Sequence, residues 1–317
     1  MLNRNAEALF WVGRYIERAE NHARLIDVHY HVQHDHDFTS EEYRWLRLVD
    51  ALGARTDYLQ QFETFTEKDV LSFITLDRGY ANSLFSCVSQ ARNNLRTLRE
   101  KLPDELWDIL NSFYLWLGER HADDILEDSP HTFYRKIKEH AAMFQGVQQS
   151  VMLRDNTWHF IESGRYLERA ENTVRILQSA ILAISKDHEP PYPYLLAVLK
   201  SVSGFQIFRQ IYADDVSVGH ILEFLLTNER FPRSVYFAFE LMIEHLTGTE
   251  MDESEMLISN EKMIRQASKL RAELACLEDD DLSLVAIDVL LDDVFKGCRK
   301  LGTAMTHTFF RLKEATA

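Results

Sequence analysis

The sequence predicts an all-α protein: a multi-helix bundle made of two tandem, pseudo-twofold-related helical halves forming one body. Three observations predict it. Only 11 Gly and 6 Pro punctuate 317 residues, too few turn formers for a β-rich chain of this length. The most distinctive stretch, Phe10 to Arg24, holds no proline and is rich in Ala, Glu and Arg, which are good helix formers. That stretch also occurs twice. Placing Gly13 on Gly164, an offset of 151 residues, matches Arg14, Tyr15, Glu17, Arg18, Ala19, Glu20, Asn21 and Arg24 with identical residues.

The offset persists without a gap. Met1-Leu2 falls on Met152-Leu153, Tyr43 on Tyr194, Gly53 on Gly204, Ser83 on Ser234, and Phe144-Gln145-Gly146 on Phe295-Lys296-Gly297. The domain reading follows: a first helical repeat over residues 1–151, a second over 152–302, and a C-terminal tail over 303–317 that ends a helix. A unit this long is a helical subdomain used twice, not a solenoid repeat.

Taken in order, the first helix runs from about Asn5 past Val28. Thr39-Ser40-Glu41-Glu42 offers a capping box for a second over residues 43–59, and Glu189-Pro190-Pro191-Tyr192-Pro193 is its counterpart, a connector and helix start. Short helices over Glu67–Leu76 and Val218–Leu226 precede longer ones over residues 82–101 and 233–246. Leu102-Pro103-Asp104-Glu105 puts proline at a first helical position with acids in the first turn. The last helix of the first half, from about Thr132, leads almost directly into the second motif helix.

Composition excludes several functions. Fifty acidic against 35 basic side chains leave a formal charge of −15, which argues against a general phosphate-backbone binder, so no nucleic-acid partner is expected. Cys87, Cys276 and Cys298 are far apart and odd in number, as in a reducing cytoplasm. No apolar run approaches the ~20 residues of a membrane span, and Met1-Leu2-Asn3-Arg4 is not followed by a signal-peptide core. The expectation is a soluble cytoplasmic protein.

At about 100° per residue, Arg14, Glu17, Arg18, Asn21 and Arg24 fall within a third or so of the helix circumference. Phe10, Trp11, Leu25 and Val28 share that face, while Val12, Tyr15, Ile16, Ala19, Ala23 and Ile26 occupy the opposite side. A helix apolar on both sides and charged along one stripe covers those charges. Gly13 beside the stripe marks a close backbone approach, since a helix-interior Gly costs about 1 kcal/mol against Ala.

The motif Trp11-Val12-Gly13-Arg14-Tyr15-Ile16-Glu17-Arg18-Ala19-Glu20-Asn21, its repeat at Gly164 to Asn172 and the Met1-Leu2-Asn3-Arg4 start resemble the alpha-E domain family, bacterial all-helical proteins named for a Glu-Arg pair. Proteins like this are typically encoded beside circularly permuted ATP-grasp proteins and transglutaminase-like proteins. The resemblance implies those two as partners and a role in peptide or amide-bond metabolism. It carries over no catalytic residue.

Two readings of the duplicated stripe stand: Arg14, Glu17, Arg18, Asn21 and Arg24 with Arg165, Glu168, Arg169, Asn172 and Arg175. In one, it is a buried ion-pair core, with Glu17 meeting Arg169 and Glu168 meeting Arg18 across a pseudo-twofold axis. In the other, some of the six arginines bind a carboxylate or phosphate in bidentate fashion, oriented by the glutamates and asparagines. Glu20 and Glu171 help to neutralise the excess Arg. Asn82-Ser83 and Arg233-Ser234 precede apolar helices and serve either as caps or as the helix N-terminal wall of an anion pocket.

The run His29, His31, His34, His36, interleaved with Asp35 and Asp37, has metal-ligand chemistry but no familiar spacing, and reads as a solvated helix end. His121, among Glu119, Arg120, Asp123 and Asp124, reads as a surface residue rather than an acid or base. Phe144, Gly146, Phe295 and Gly297 read as packing positions. No Walker loop, dinucleotide fingerprint, nucleophile elbow or Cys/His zinc pattern is present, so neither cofactor nor metal is expected. The functional expectation is a non-catalytic helical partner or substrate-presenting subunit of an ATP-grasp-type ligase. Its alternative is an enzyme or co-catalytic subunit that binds a peptide carboxylate or acyl phosphate through the arginines. Oligomeric state is left open, a homo-oligomer included.

Overall fold

The computed structural model describes residues 3–34, 40–127, 129–187, 191–251, 254–278, 281–282 and 286–310. Among them there is no strand. The helices of the first half are α1 (Asn3–His34), α2 (Glu41–Ala51), α3 (Arg55–Tyr58), α4 (Glu67–Leu76), α5 (Leu84–Arg96), α6 (Asp104–Gly118), α7 (Ala122–Glu127) and α8 (Pro130–Val151). Then come α9 (Asn156–Asp187), α10 (Tyr192–Ser201), α11 (Phe205–Tyr212), α12 (Val218–Leu226), α13 (Val235–Gly248), α14 (Ser254–Ala275) and α15 (Ile287–Met305). The all-α expectation is therefore met. Thr39, the 35–37 part of the His/Asp run, Glu189-Pro190 and the last seven residues of the tail lie outside the described residues, as do Met1-Leu2.

Local chemistry sets several boundaries. Ser40, Thr66, Ser83, Ser217 and Ser234 cap α2, α4, α5, α12 and α13, each accepting a backbone N–H of the first turn. The helix expected over residues 43–59 is broken. Gly53 takes φ +66, Ala54 N donates to Val49 O, and Gly53 N donates to Asp50 O, which ends α2 before α3 begins. Residues 82–101 form α5 and then a separate 3-10 turn, Arg99–Lys101. Pro103 stands at the N-cap of α6 rather than inside it, one position earlier than expected. Residues 152–155 separate α8 from α9, and Asp155 Oδ1 accepts Thr157 N and Trp158 N there.

The chain forms two compact units whose limits differ from a simple cut at residue 151. One comprises Met1–Arg14, Met152–Leu195 and Gly204–Ala317; the other Tyr15–Val151 and Leu196–Ser203. In the first, α13 and α15 pack on α9, and α14 packs on both. Its core includes Phe10, Leu167, Val174, Phe239, Met242, Leu291 and Leu301, all under 2% exposed. In the second, α6 lies between α5 and α8, and α4 packs on α2, α5 and α7. Tyr58, Phe73, Phe113, Tyr134 and Phe144 fill that core.

Within the first unit α1 crosses α9 backbone to backbone. A Cβ on Gly13 would stand 2.0 Å from Ile161 O, and a Cβ on Gly164 would stand 2.1 Å from Phe10 O. Each contact is the other shifted by the same offset. No side chain fits at either glycine, which explains why these helix-interior positions forgo the better helix former Ala.

Candidate functional site

The start of α1 brings Arg14 onto α9. Its Nε donates to Glu168 Oε2 and its Nη2 to Glu171 Oε2, each at 2.6 Å. All three side chains are buried, the glutamates one helical turn apart, so a single guanidinium spans two carboxylates. Gly302 of α15 lies against the Arg14 Nη1, where a Cβ would be 3.4 Å away. The nearby Cys298 thiol is fully buried, and that burial, with Glu171 beside it, pushes its pKa far up; it is no nucleophile.

Further along α9, Arg165 Nη2 donates to Glu162 and, at 3.0 Å, to Tyr166 Oη. His245 of α13 stacks on Tyr166, with its Nδ1 3.2 Å from His159 Nδ1. Burial first, then His159 and Arg165, lower the His245 pKa to about 3, so the ring stays neutral although Glu162 lies 3.9 Å away. Arg169 Nη1 donates to Pro232 O at 3.3 Å, and Thr173 Oγ1 to Arg233 O at 3.0 Å. Arg175 rests over the Phe295 ring at 5.1 Å. Asn172 is buried.

In the other unit Asn21 Nδ2 donates to Glu17 Oε1 at 3.1 Å, and Gln145 of α8 reaches Glu20 Oε2 at 3.3 Å and Glu17 at 3.5 Å. Arg24 pairs with Glu20 and with Ser203 Oγ. Arg18 Nη1 donates to Asn82 Oδ1 at 2.7 Å. Ser83 and Ser234 are fully buried, their hydroxyls donating to Asp77 O and Asn228 O in the turn before the helix and accepting Ser86 N and Phe237 N in its first turn. At this wall the caps are thus internal, and Asn82 faces an arginine.

The expected stripe residues all lie on α1 and α9, and most are buried. Glu168 is held by Arg14. Sequence reasoning missed Glu162, Gln145, Ser203 and the His159–His245 pair. Glu162 has no equivalent at the repeat offset, where Trp11 stands, and Gln145 is one of many polar residues of α8, with Lys296 at its repeat position, so neither carried a signal. His29 Nε2 donates to Arg44 O at 2.8 Å, and His121 is exposed. Phe144 and Gly297 do pack, but nothing lies within 4 Å of a Cβ built on Gly146.

No helix among the described residues is long and apolar enough to cross a membrane. No solved structure matches the chain. It is similar to the uncharacterized proteins Mb2597 of Mycobacterium bovis and Rv2567 of Mycobacterium tuberculosis, each 26% identical over 255 residues. These alignments cover 73% of this chain but only 28% of the mycobacterial proteins, which are much longer. Residues 1–310 match Alpha-E, described as a predicted alpha-helical domain with a conserved ER motif, the pair that here reads Glu17-Arg18 and Glu168-Arg169, and the chain belongs to that family.

Proposed function

We propose that the chain is a cytoplasmic, non-catalytic helical partner in peptide or amide-bond metabolism, serving a circularly permuted ATP-grasp protein and a transglutaminase-like protein, with the Arg/Glu stripe as its structural keel. The observation that carries the keel is Arg14, whose two donor edges are committed to buried Glu168 and Glu171. Arg165 with Glu162 and Arg24 with Glu20 support it in the same way. Replacing one partner of such a buried pair strands the other charge, so the stripe resists change whatever it binds.

The test is co-purification of the chain with the ATP-grasp neighbour, followed by ATP consumption with and without it. Complex formation and ATP turnover that depends on the chain are expected, with none by the chain alone. Absence of a complex together with unchanged turnover overturns the reading. Arg175 favours the second reading, a co-catalytic carboxylate or acyl-phosphate site, because among the described residues it contacts a ring and no carboxylate. Arg18→Ala and Arg169→Ala separate the two: a keel loses melting temperature, whereas a site loses binding with its fold nearly intact.

A further inference from the structure

Asp27 and His31 stand one turn apart on α1, and His131 stands in the first turn of α8, all in the unit that contains Tyr15–Val151. Asp27 is 4% exposed. Its Oδ1 lies 2.9 Å from His131 Nδ1 and 3.5 Å from His31 Nε2, while its Oδ2 lies 2.6 Å from Lys138 Nζ on α8. One ligand atom from each of the three residues lies within 4.8 Å of the others.

Two imidazoles and a carboxylate form a donor set for zinc and its neighbours. Tetrahedral bonds of about 2.0–2.1 Å put ligand atoms about 3.3 Å apart, and the two Asp27 distances bracket that value. The two rings, with centroids 5.1 Å apart, are each about half exposed, so closing the third edge needs only side-chain rotation. Lys138 holds the other carboxylate oxygen, which fixes the orientation of Asp27. Its charge also competes for that carboxylate, so the affinity falls short of a closed four-ligand site.

The second half supplies an internal control. At the repeat offset the four positions hold Gln178, Leu182, Leu282 and Val289. Leu182 and Val289 are more than half exposed, and of the four only Leu282, at the place of His131, is buried. Helix pairing of this kind does not require the cluster.

We propose that Asp27, His31 and His131 form a site for one divalent transition-metal ion of zinc-like chemistry, with Lys138 as a positioning residue and the fourth coordination position left to water or an exogenous ligand. Among the described histidines of the His29–His36 run, His31 takes part, through a partner about 100 residues away, which is why spacing along the chain concealed it.

The experiment uses the full chain without a histidine tag, stripped with EDTA and titrated with Co²⁺ by visible absorption and with Zn²⁺ by calorimetry. One equivalent should bind with roughly micromolar affinity, and Zn²⁺ should displace Co²⁺. His131→Ala and His31→Ala should each weaken binding at least about tenfold, while the metal-free melting temperature changes little. The double variant His34→Ala/His36→Ala should bind as the parent does. No saturable binding below about 1 mM, binding that survives His131→Ala, or binding lost only in the His34/His36 variant overturns the proposal.

Discussion

Glu17 and Glu168 stand at equivalent places of the repeated motif, both essentially inaccessible, yet within their own units different groups hold them. Glu17 accepts from Asn21 and Gln145, whereas Glu168 takes the guanidinium of Arg14. The arginines diverge too. Arg24 pairs with Glu20 while its equivalent, Arg175, covers Phe295. Arg14 lies over Trp11 at 5.3 Å and reaches across to α9, whereas Arg165 turns to Glu162, the residue that replaces Trp11 in the second copy. One substitution beside an identical motif redirects its cation. Identity of sequence thus goes with burial of the same two glutamates, and the flanking residue bears on whom the arginine beside them meets.

The sharpest test of that difference is Arg14→Ala, which takes a guanidinium away from two buried carboxylates and should cost about 3–5 kcal/mol in urea denaturation, against under about 1 kcal/mol for Arg175→Ala. Equal losses at the two positions would break the comparison. Arg14→Lys should recover little, because a point charge cannot span Glu168 and Glu171 together.

Next in size is the crossing. Gly13→Ala and Gly164→Ala should each cost about 1–3 kcal/mol, despite Ala's better helix propensity, because backbone must separate from backbone. Gly146→Ala, in open space on α8, should instead gain up to about 1 kcal/mol. The capping serines come below these. Ser83→Ala and Ser234→Ala should each cost about 1 kcal/mol, and a large inequality between them would show that the two turns are not equivalent in strength.

The smallest effect is acid sensitivity, to which each unit contributes two histidines whose pKa burial lowers, His29 and His140 in one and His159 and His245 in the other. Burial lowers His29 to about 4 and His245 to about 3, from 6.5. Below pH 6.5 the unfolded chain takes up protons that the folded chain refuses, so stability is complete above that pH and declines as it falls toward 4 and then 3. The urea midpoint should therefore drop between pH 7.5 and 5 in the parent, and drop less in His245→Gln.

Much of the local structure was legible. Glu67–Leu76 and Val218–Leu226 are helices within the expected bounds, and Ser40 and Ser83 cap where hydroxyl and spacing indicate. Asp77 and Asn228, at the repeat offset, each accept two backbone N–H groups of the following turn, Gly79 and Tyr80 in one case, Arg230 and Phe231 in the other. The break at Gly53 was missed because a glycine declares a left-handed turn only once its φ is known.

By itself, then, the sequence determined the helical class, the helix starts and the stripe of charge that had to be covered. These depend on groups within about a turn of one another, and periodicity, caps and scarce Gly and Pro report such groups directly. Only the tertiary structure decided that Arg14 belongs to Glu168 and Glu171, and Asp27 to His131 and Lys138. Those partners are separated by more than a hundred residues, and choosing among many chemically equivalent acids and bases takes the packing of whole helices.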